Sequence, residues 1–297
     1  MPTMHDPDRA PDADALAVFE AHRPRLFGLA YRMLGVASDA DDVLQEARLR
    51  WLATDRAAIA SPEAYLVTMV SRLALDQLGS ARVRREVYVG PWLPEPIATA
   101  PDVDAHDLSL AFLHLLERLS PAERAAFLLA EVFDYSHAEV ARVLGKSEAA
   151  CRQLAARARA HVRDGRPRLV DTGEHARVLG AFVTACASGE LAALERLLTA
   201  DAVVLSDGGG KVTAALHPVT GADRVARMLL GLARKGGAGL TPTPATLNGL
   251  PALILRDAAG AVDLALALDV VDGKIAAVYL VRNPDKLAGL AIVRPIA

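Results

Sequence analysis

The chain has 297 residues, enough for two or three domains with separate cores, and its 52% hydrophobic content excludes a disordered chain. A net charge of −3 argues against a free-standing nucleic-acid binder. No apolar run approaches a membrane span, and the N-terminal MPTMHDPDRAPDADA has no signal-peptide core, so a cytoplasmic protein is expected. Cys151 and Cys186 have no CxxC spacing, which speaks against a zinc site or a disulfide framework; no metal or cofactor is expected.

Residues 15 to 85 read as helices. In LAVFEAHRPRLFGLAYRML, Leu16, Phe19, Leu26, Leu29, Met33 and Leu34 fall near helical spacing, with Pro24 as a residue able to interrupt the run and Gly35 as the stop. Ser38 is the expected cap of a second helix, DADDVLQEARLRWLA, with Val43, Leu44, Ala47 and Trp51 on its inner side. Asp42, Gln45 and Glu46 then share one polar face. DRAAIA reads as a loop. Ser61-Pro62-Glu63 starts a third helix, with Ser as cap and Pro at the first helical position. It runs into the basic stretch ARVRRE.

The next segment, YVGPWLPEPI, has three prolines and one of the two tryptophans. Proline fixes φ and stiffens the chain, so the Trp is presented on an extended, low-entropy segment. That is the character of a docking peptide more than of a neutral spacer. Residues 108 to 164 are helical again, with capping boxes at Ser120–Glu123 and Ser136–Glu139. HAEVARVLGKSEAACRQLAARARAHVR has the shape of a helix-turn-helix: a helix stopped by Gly145, a three-residue turn, and a second helix capped by Ser147. On that second helix Cys151, Leu154, Ala155, Ala158 and Val162 share one face. Arg152, Gln153, Arg157, Arg159 and Arg163 spread over the other, where guanidinium groups would meet phosphates or base edges.

After Asp171 the pattern changes. One or two helices lead into strand candidates AVVLS, KVTAAL, PALILR, VDLALALDVV and IAAVYLVR, with the helix GADRVARMLLGLARK between them, a loop at GGAGLTPTP and a hairpin turn at Val271–Lys274. An α+β domain with a curved antiparallel sheet is expected.

LFGLAYRMLGVASDADDVLQEARLRWL closely resembles region 2 of bacterial extracytoplasmic-function (ECF) sigma factors, and the helix-turn-helix resembles region 4 of the same family. The C-terminal part resembles the SnoaL-like group, a cone-shaped α+β fold related to nuclear transport factor 2. One ECF subgroup carries such an extension, marked by WLPEP, DGGGK and NPDKL, and all three occur here in order. The resemblance implies a multidomain chain of two all-α sigma domains and a SnoaL-like cone: region 2 at 14–87, a WLPEP linker at 88–106, region 4 at 107–168 and the cone at 172–297. It implies a sigma factor modulated in cis by its extension, with core RNA polymerase (β′ clamp helices and β subunit) and the −35 and −10 promoter elements as partners. It further implies no membrane, no separate anti-sigma factor and a monomer when free.

Residue by residue, Asp42, Gln45 and Glu46 match the surface that grips the β′ clamp helices. SPEAYLVTMVSRLALDQLGSARVRRE matches the segment that opens the −10 element, with Arg72, Arg82, Arg84 and Arg85 as cations for the strand and Tyr65 as a stacking surface. Ser147, Glu148, Arg152, Gln153, Arg157 and Arg159 fall to DNA through region 4. The regulatory contacts implied are Trp92, Leu93, Pro94, Glu95 and Pro96; Asp207, Gly208, Gly209, Gly210 and Lys211; and Asn283, Pro284, Asp285, Lys286 and Leu287.

DGGGK is not a phosphate loop, because Val212 follows Lys211 where a Ser or Thr is needed. It reads locally as a tight hairpin loop, and the resemblance adds an interaction surface. NPDKL reads locally as an Asn-Pro turn opening a helical turn, and the resemblance implies a contact reaching back to the DNA-binding domains. Rival readings are an enzyme using Asp201, His217, Asp263, Asp269 or Tyr279 for acid–base chemistry, a small-molecule sensor, and a one-component DNA-binding regulator. The five enzyme candidates form no recognisable dyad, and the last reading leaves DADDVLQEA unexplained.

Overall fold

The computed structural model describes residues 13–99, 108–163, 171–236 and 239–291; the side chains at 80–86, 163 and 236 lie outside that description. The chain divides into two compact units, one of Met1–Arg82 with Leu119–Arg159, the other of Val83–Arg118 with Ala160–Ala297.

The first unit is helical. α1 (Ala13–Leu34) runs through Pro24 without a break. Proline removes one amide bond, and the face carrying Phe19, Leu26, Leu29, Met33 and Leu34 is fully buried and holds the helix on both sides of it. Gly35 stops α1 at φ 71°, its amide donating to Tyr31 O at 2.7 Å. Only Gly35 and Val36 separate α1 from α2 (Ala37–Ala53). Val36 is therefore the cap residue and offers no side-chain bond, so Ser38 lies in the first turn instead of capping it. α2 packs on α1, and the buried Trp51 indole donates to Ala15 O at 2.8 Å. α3 (Pro62–Glu86) starts as expected, with Ser61 Oγ accepting from the Ala64 amide at 3.3 Å.

α5 (Pro121–Phe127) and α6 (His137–Leu144) both carry complete capping boxes. α5 continues into a π-helical turn, Leu128–Val132, which no local motif announced. Gly145 ends α6 in the left-handed region, and Ser147 Oγ accepts from the Ala150 amide at the start of α7 (Glu148–Arg163). Cys151, Leu154, Ala155 and Ala158 are buried, as the helical period required.

The second unit joins the linker and one helix of the middle segment to the sheet. α4 (Leu110–Leu116) belongs to it, although by sequence it opens the helix-turn-helix region. Every residue of α4 but His114 is apolar, and Leu110 and Ala111 join a core cluster with sheet residues. The remaining elements are α8 (Thr172–Ser188), α9 (Leu191–Leu197), β1 (Leu198–Asp207), β2 (Val219–Thr220), α10 (Ala222–Gly236), β3 (Thr241–Leu247), β4 (Leu250–Arg256), β5 (Val262–Val271), β6 (Lys274–Val281) and α11 (Pro284–Leu287). The sheet order is β2-β1-β6-β5-β4-β3.

Three expectations are corrected in this sheet. It is mixed, because β1 pairs parallel with β6 while the other ladders are antiparallel. KVTAAL is not a strand: Gly209 and Gly210 turn the chain off the ladder, and Leu216 is left exposed. TPTPATL is strand β3 and not a loop. Its prolines are tolerated because it is the last strand of the sheet, where an outward-facing residue needs no ladder donor. The Asp272-Gly273 turn forms as expected, both residues at positive φ.

One sheet face packs against α8, α9 and α10 around Leu194, Val204, Val225, Leu268 and Val278. The other is covered by Leu93, by Leu110 and Ala111 of α4, and by Leu287 and Leu290. Period-two alternation sends Leu266, Leu268 and Val270 to the first face and Ala265 and Ala267 to the second.

Candidate functional site

The centre of the second unit's site is Asp207, the last residue of β1 and fully buried. A buried carboxylate is tolerated only when its acceptor sites are filled. Oδ1 accepts from the Tyr88 hydroxyl at 2.6 Å and the Gly209 amide at 3.0 Å. Oδ2 accepts from the Leu93 amide at 2.9 Å and from Lys286 Nζ at 2.7 Å. The backbone carbonyl of Asp207 accepts from the amides of Arg282 and Asn283.

Lys286 is buried as well, and its ammonium also donates to Leu93 O. It lies 4.0 Å from the Trp92 ring centroid and 5.1 Å from that of Tyr88. Asn283 caps α11 through Oδ1 and donates from Nδ2 to the Tyr88 hydroxyl at 2.8 Å. Burial, and then the Asp207 carboxylate, push the Tyr88 phenol well above its usual range and keep it a donor. Outside this core, Lys211 pairs with Asp285 at the surface.

Two of the three glycines follow from this geometry. A Cβ on Gly208 would collide with the Val212 carbonyl, and one on Gly209, at φ 62°, with the Asn283 amide group. WLPEP, DGGGK and NPDKL, far apart in sequence, thus converge on a single buried ion pair. Leu93, Pro94, Glu95 and Pro96 are buried and Trp92 is partly so. Sequence reasoning missed Tyr88 and Asn248. Asn248 sits at φ 52° in the β3–β4 turn, accepts from the Ile97 amide at 3.1 Å, and is legible beforehand only as part of an Asn-Gly turn.

In the first unit, Asp42, Gln45 and Glu46 are exposed on one face of α2, with Val43, Leu44 and Ala47 buried behind them. Glu46 makes an i,i+4 bond with Arg50 at 2.7 Å. Tyr65 is 37% exposed, its ring 6.0 Å from that of Trp51. Arg72 is exposed but tied down: Nε donates to Val143 O at 3.1 Å and Nη2 to Arg142 O at 2.9 Å, at the C-terminal end of α6. Arg25 and Arg32 both stand over the Phe133 ring, and the buried Arg124 donates to Met33 O at 2.7 Å. The side chains of Arg82, Arg84 and Arg85 lie outside the described residues.

On α7 the basic face is largely paired. Arg152 bonds Glu148, Arg157 bonds Glu123 at 3.0 Å, and Arg159 bonds Glu131 at 2.6 Å. Ser120, and also Arg157, hold Glu123 below its ordinary range. Gln153 is exposed. The five acid–base candidates do not form one cluster. Asp201 and His217 are exposed, and Asp263 pairs with Arg282 at 3.0 Å. Asp269 and Tyr279 stand on the face away from α8, α9 and α10, where the Tyr279 ring lies 6.0 Å from His114. No helix of the described residues is long and apolar enough to cross a membrane.

The family model for sigma-70 region 2 matches residues 18–84, and that for sigma-70 region 4 matches residues 109–162. The chain is 42% identical over 290 residues to the ECF RNA polymerase sigma factor SigJ of Mycobacterium tuberculosis, covering 91% of this chain and 92% of that one. It is 33% identical over 303 residues to the probable ECF RNA polymerase sigma factor SigI of the same species, covering 96% of each. The crystal structure of M. tuberculosis SigJ superposes with a TM-score of 0.77 at 38% identity, over 92% of this chain and 98% of that one. Two helical sigma regions followed by a mixed α/β sheet domain are therefore common to both structures, and the chain belongs to the ECF RNA polymerase sigma factors, which direct promoter recognition.

Proposed function

We propose that this sigma factor is regulated in cis by its C-terminal domain through the linker between its two sigma regions. The observation that carries the reading is the Asp207–Lys286 pair, whose donors and acceptors are the linker residues Tyr88 and Leu93. A domain that grips this linker with buried, charge-assisted bonds restrains the segment that sets how far regions 2 and 4 can separate.

Sigma factors bind core RNA polymerase and promoter DNA. Asp42, Gln45 and Glu46 form the proposed surface for the polymerase β′ clamp helices. Tyr65 and Arg72, with Arg82, Arg84 and Arg85, serve the −10 element; Arg152 and Gln153, supported by Glu148, serve the −35 element. Ser147 acts as the cap that starts α7. Arg157 and Arg159 reach DNA only by leaving Glu123 and Glu131, and Arg72 only by leaving the end of α6. The free protein is proposed to be a monomer that needs no separate anti-sigma factor, with no catalytic activity and a cytoplasmic location.

The test is in vitro transcription with core polymerase, comparing the full chain, a chain stopped after Arg168 and a full chain carrying Lys286→Met. Both altered proteins should differ from the full chain in the same direction. Equal output from all three would remove the regulatory role, and no output where another sigma factor works would remove the assigned contacts.

A further inference from the structure

The linker lies along the C-terminal domain as a peptide ligand lies in a receptor. At one end, both backbone groups of Leu93 are read by the buried ion pair, its amide by Asp207 and its carbonyl by Lys286, and its side chain is 0% exposed. Trp92 covers the Lys286 ammonium. Glu95 is 7% exposed and lies beside Gly289.

At the other end the linker becomes an added strand. Ala98 bridges antiparallel to Leu247 of β3. Asn248 N donates to Ile97 O at 2.8 Å, Thr99 N to Thr246 O at 3.1 Å, and Gly249 N to Thr99 Oγ1 at 2.8 Å. Thr246 turns its carbonyl to this edge. Pro242 and Pro244, of the same alternation, face the same way and bring no amide donor. The edge thus accepts a strand only at its C-terminal end. Backbone pairing on a sheet edge supplies affinity, and pockets for particular side chains supply selectivity. Pro91, Pro94 and Pro96 lower the entropy lost when such a segment is bound.

We propose that the C-terminal domain is a peptide-recognition module for an extended, proline-rich segment with an aromatic–aliphatic pair, and that, where its own linker has left the groove, it takes the 88–99 segment of a second copy of this chain, the intact free chain staying a monomer. The inference rests on the groove and not on the transcriptional role. A failed transcription assay therefore leaves it standing, and a failed binding assay leaves the sigma-factor contacts standing.

The experiment uses a fluorescently labelled synthetic peptide of residues 88–99 and the full chain carrying Leu93→Asp, which empties the groove of its own linker. The fold is checked by circular dichroism and melting; if that variant is unfolded, the Trp92→Ala/Leu93→Ala chain replaces it. The expected result is saturable 1:1 binding to the variant chain and at least about tenfold weaker binding to the unaltered chain, whose own linker competes at an effective concentration of order millimolar. A Leu93→Asp peptide should bind neither. The source is tested by mixing the Leu93→Asp chain with a chain carrying Lys286→Met, whose linker is intact and whose groove is weakened; a heterodimer on size exclusion, absent from either chain alone, supports exchange between copies. A folded variant that does not bind the peptide, or that binds both peptides equally, overturns the proposal. Peptide binding without a heterodimer overturns the second-copy source.

Discussion

Lys286 Nζ lies 2.7 Å from Asp207 Oδ2 with the two side chains 7% and 0% exposed, and the same ammonium and carboxylate also bind the carbonyl and amide of Leu93. The pair is fully satisfied only while the linker is in place. Removing one member leaves the other charge buried and alone.

Asp207→Ala should therefore destabilise the full chain by about 3–5 kcal/mol, the usual cost of orphaning one member of a buried pair. Lys286→Met, which removes the charge but keeps the bulk, should cost less than Asp207→Ala. Thermal melts of the two variants at equal protein concentration check the order; a larger loss from Lys286→Met would contradict it.

Trp92→Ala removes the ring 4.0 Å from the Lys286 ammonium. A partly desolvated contact of this kind contributes about 1–2 kcal/mol, so the melting temperature should fall by a few degrees. Transcription by the full chain should change, while a chain stopped after Arg168 should be indifferent to the substitution.

His175 on α8 is 1% exposed, and burial pulls its pKa down to about 4. A depressed histidine favours the folded state above the unfolded pKa, and this contribution is lost as the pH falls from about 6.5 towards 4. The loss amounts to about 3 kcal/mol across that window. Asp269 has the opposite sign: burial raises it to about 6, so its ionisation costs stability as the pH rises from about 4 to 6. His175→Phe should flatten the acid side of the stability curve, and Asp269→Asn should stabilise the chain at pH 7.5. Melts from pH 4.5 to 8 on the three proteins separate the two effects.

Glu46→Lys reverses a charge on the exposed face of α2. Surface substitutions seldom move stability by more than about 0.5 kcal/mol, so the melting temperature should hold. Affinity for core polymerase should fall at least about tenfold, measured by competition with another sigma factor.

Much of the fold was legible because its signals are local. Capping boxes at Ser120 and Ser136, the Gly145 stop and the buried row Cys151, Leu154, Ala155 and Ala158 each depend on neighbours within a few residues. Local signals gave way where they met a tertiary constraint. Pro24 was outweighed by the buried faces of α1, Ser38 by the shortness of the Gly35-Val36 turn, and the prolines of β3 by its place at the sheet edge.

The sequence alone determined the helical regions, the turn chemistry, and the three motifs that mark this kind of chain. It marked the Trp92 segment as a docking peptide and, by resemblance, the other two motifs as contact surfaces, but not that all three meet around one ion pair. Tertiary structure alone decided that Asp207 would be buried under Tyr88, Leu93 and Lys286, that α4 would pack with the sheet, and that Arg72 would bind the end of α6. The physical reason is range. A helix period or a cap is set by bonds over three or four residues, whereas a buried charge takes whichever partners the closing of long loops brings within hydrogen-bonding distance, here 79 positions away for Lys286.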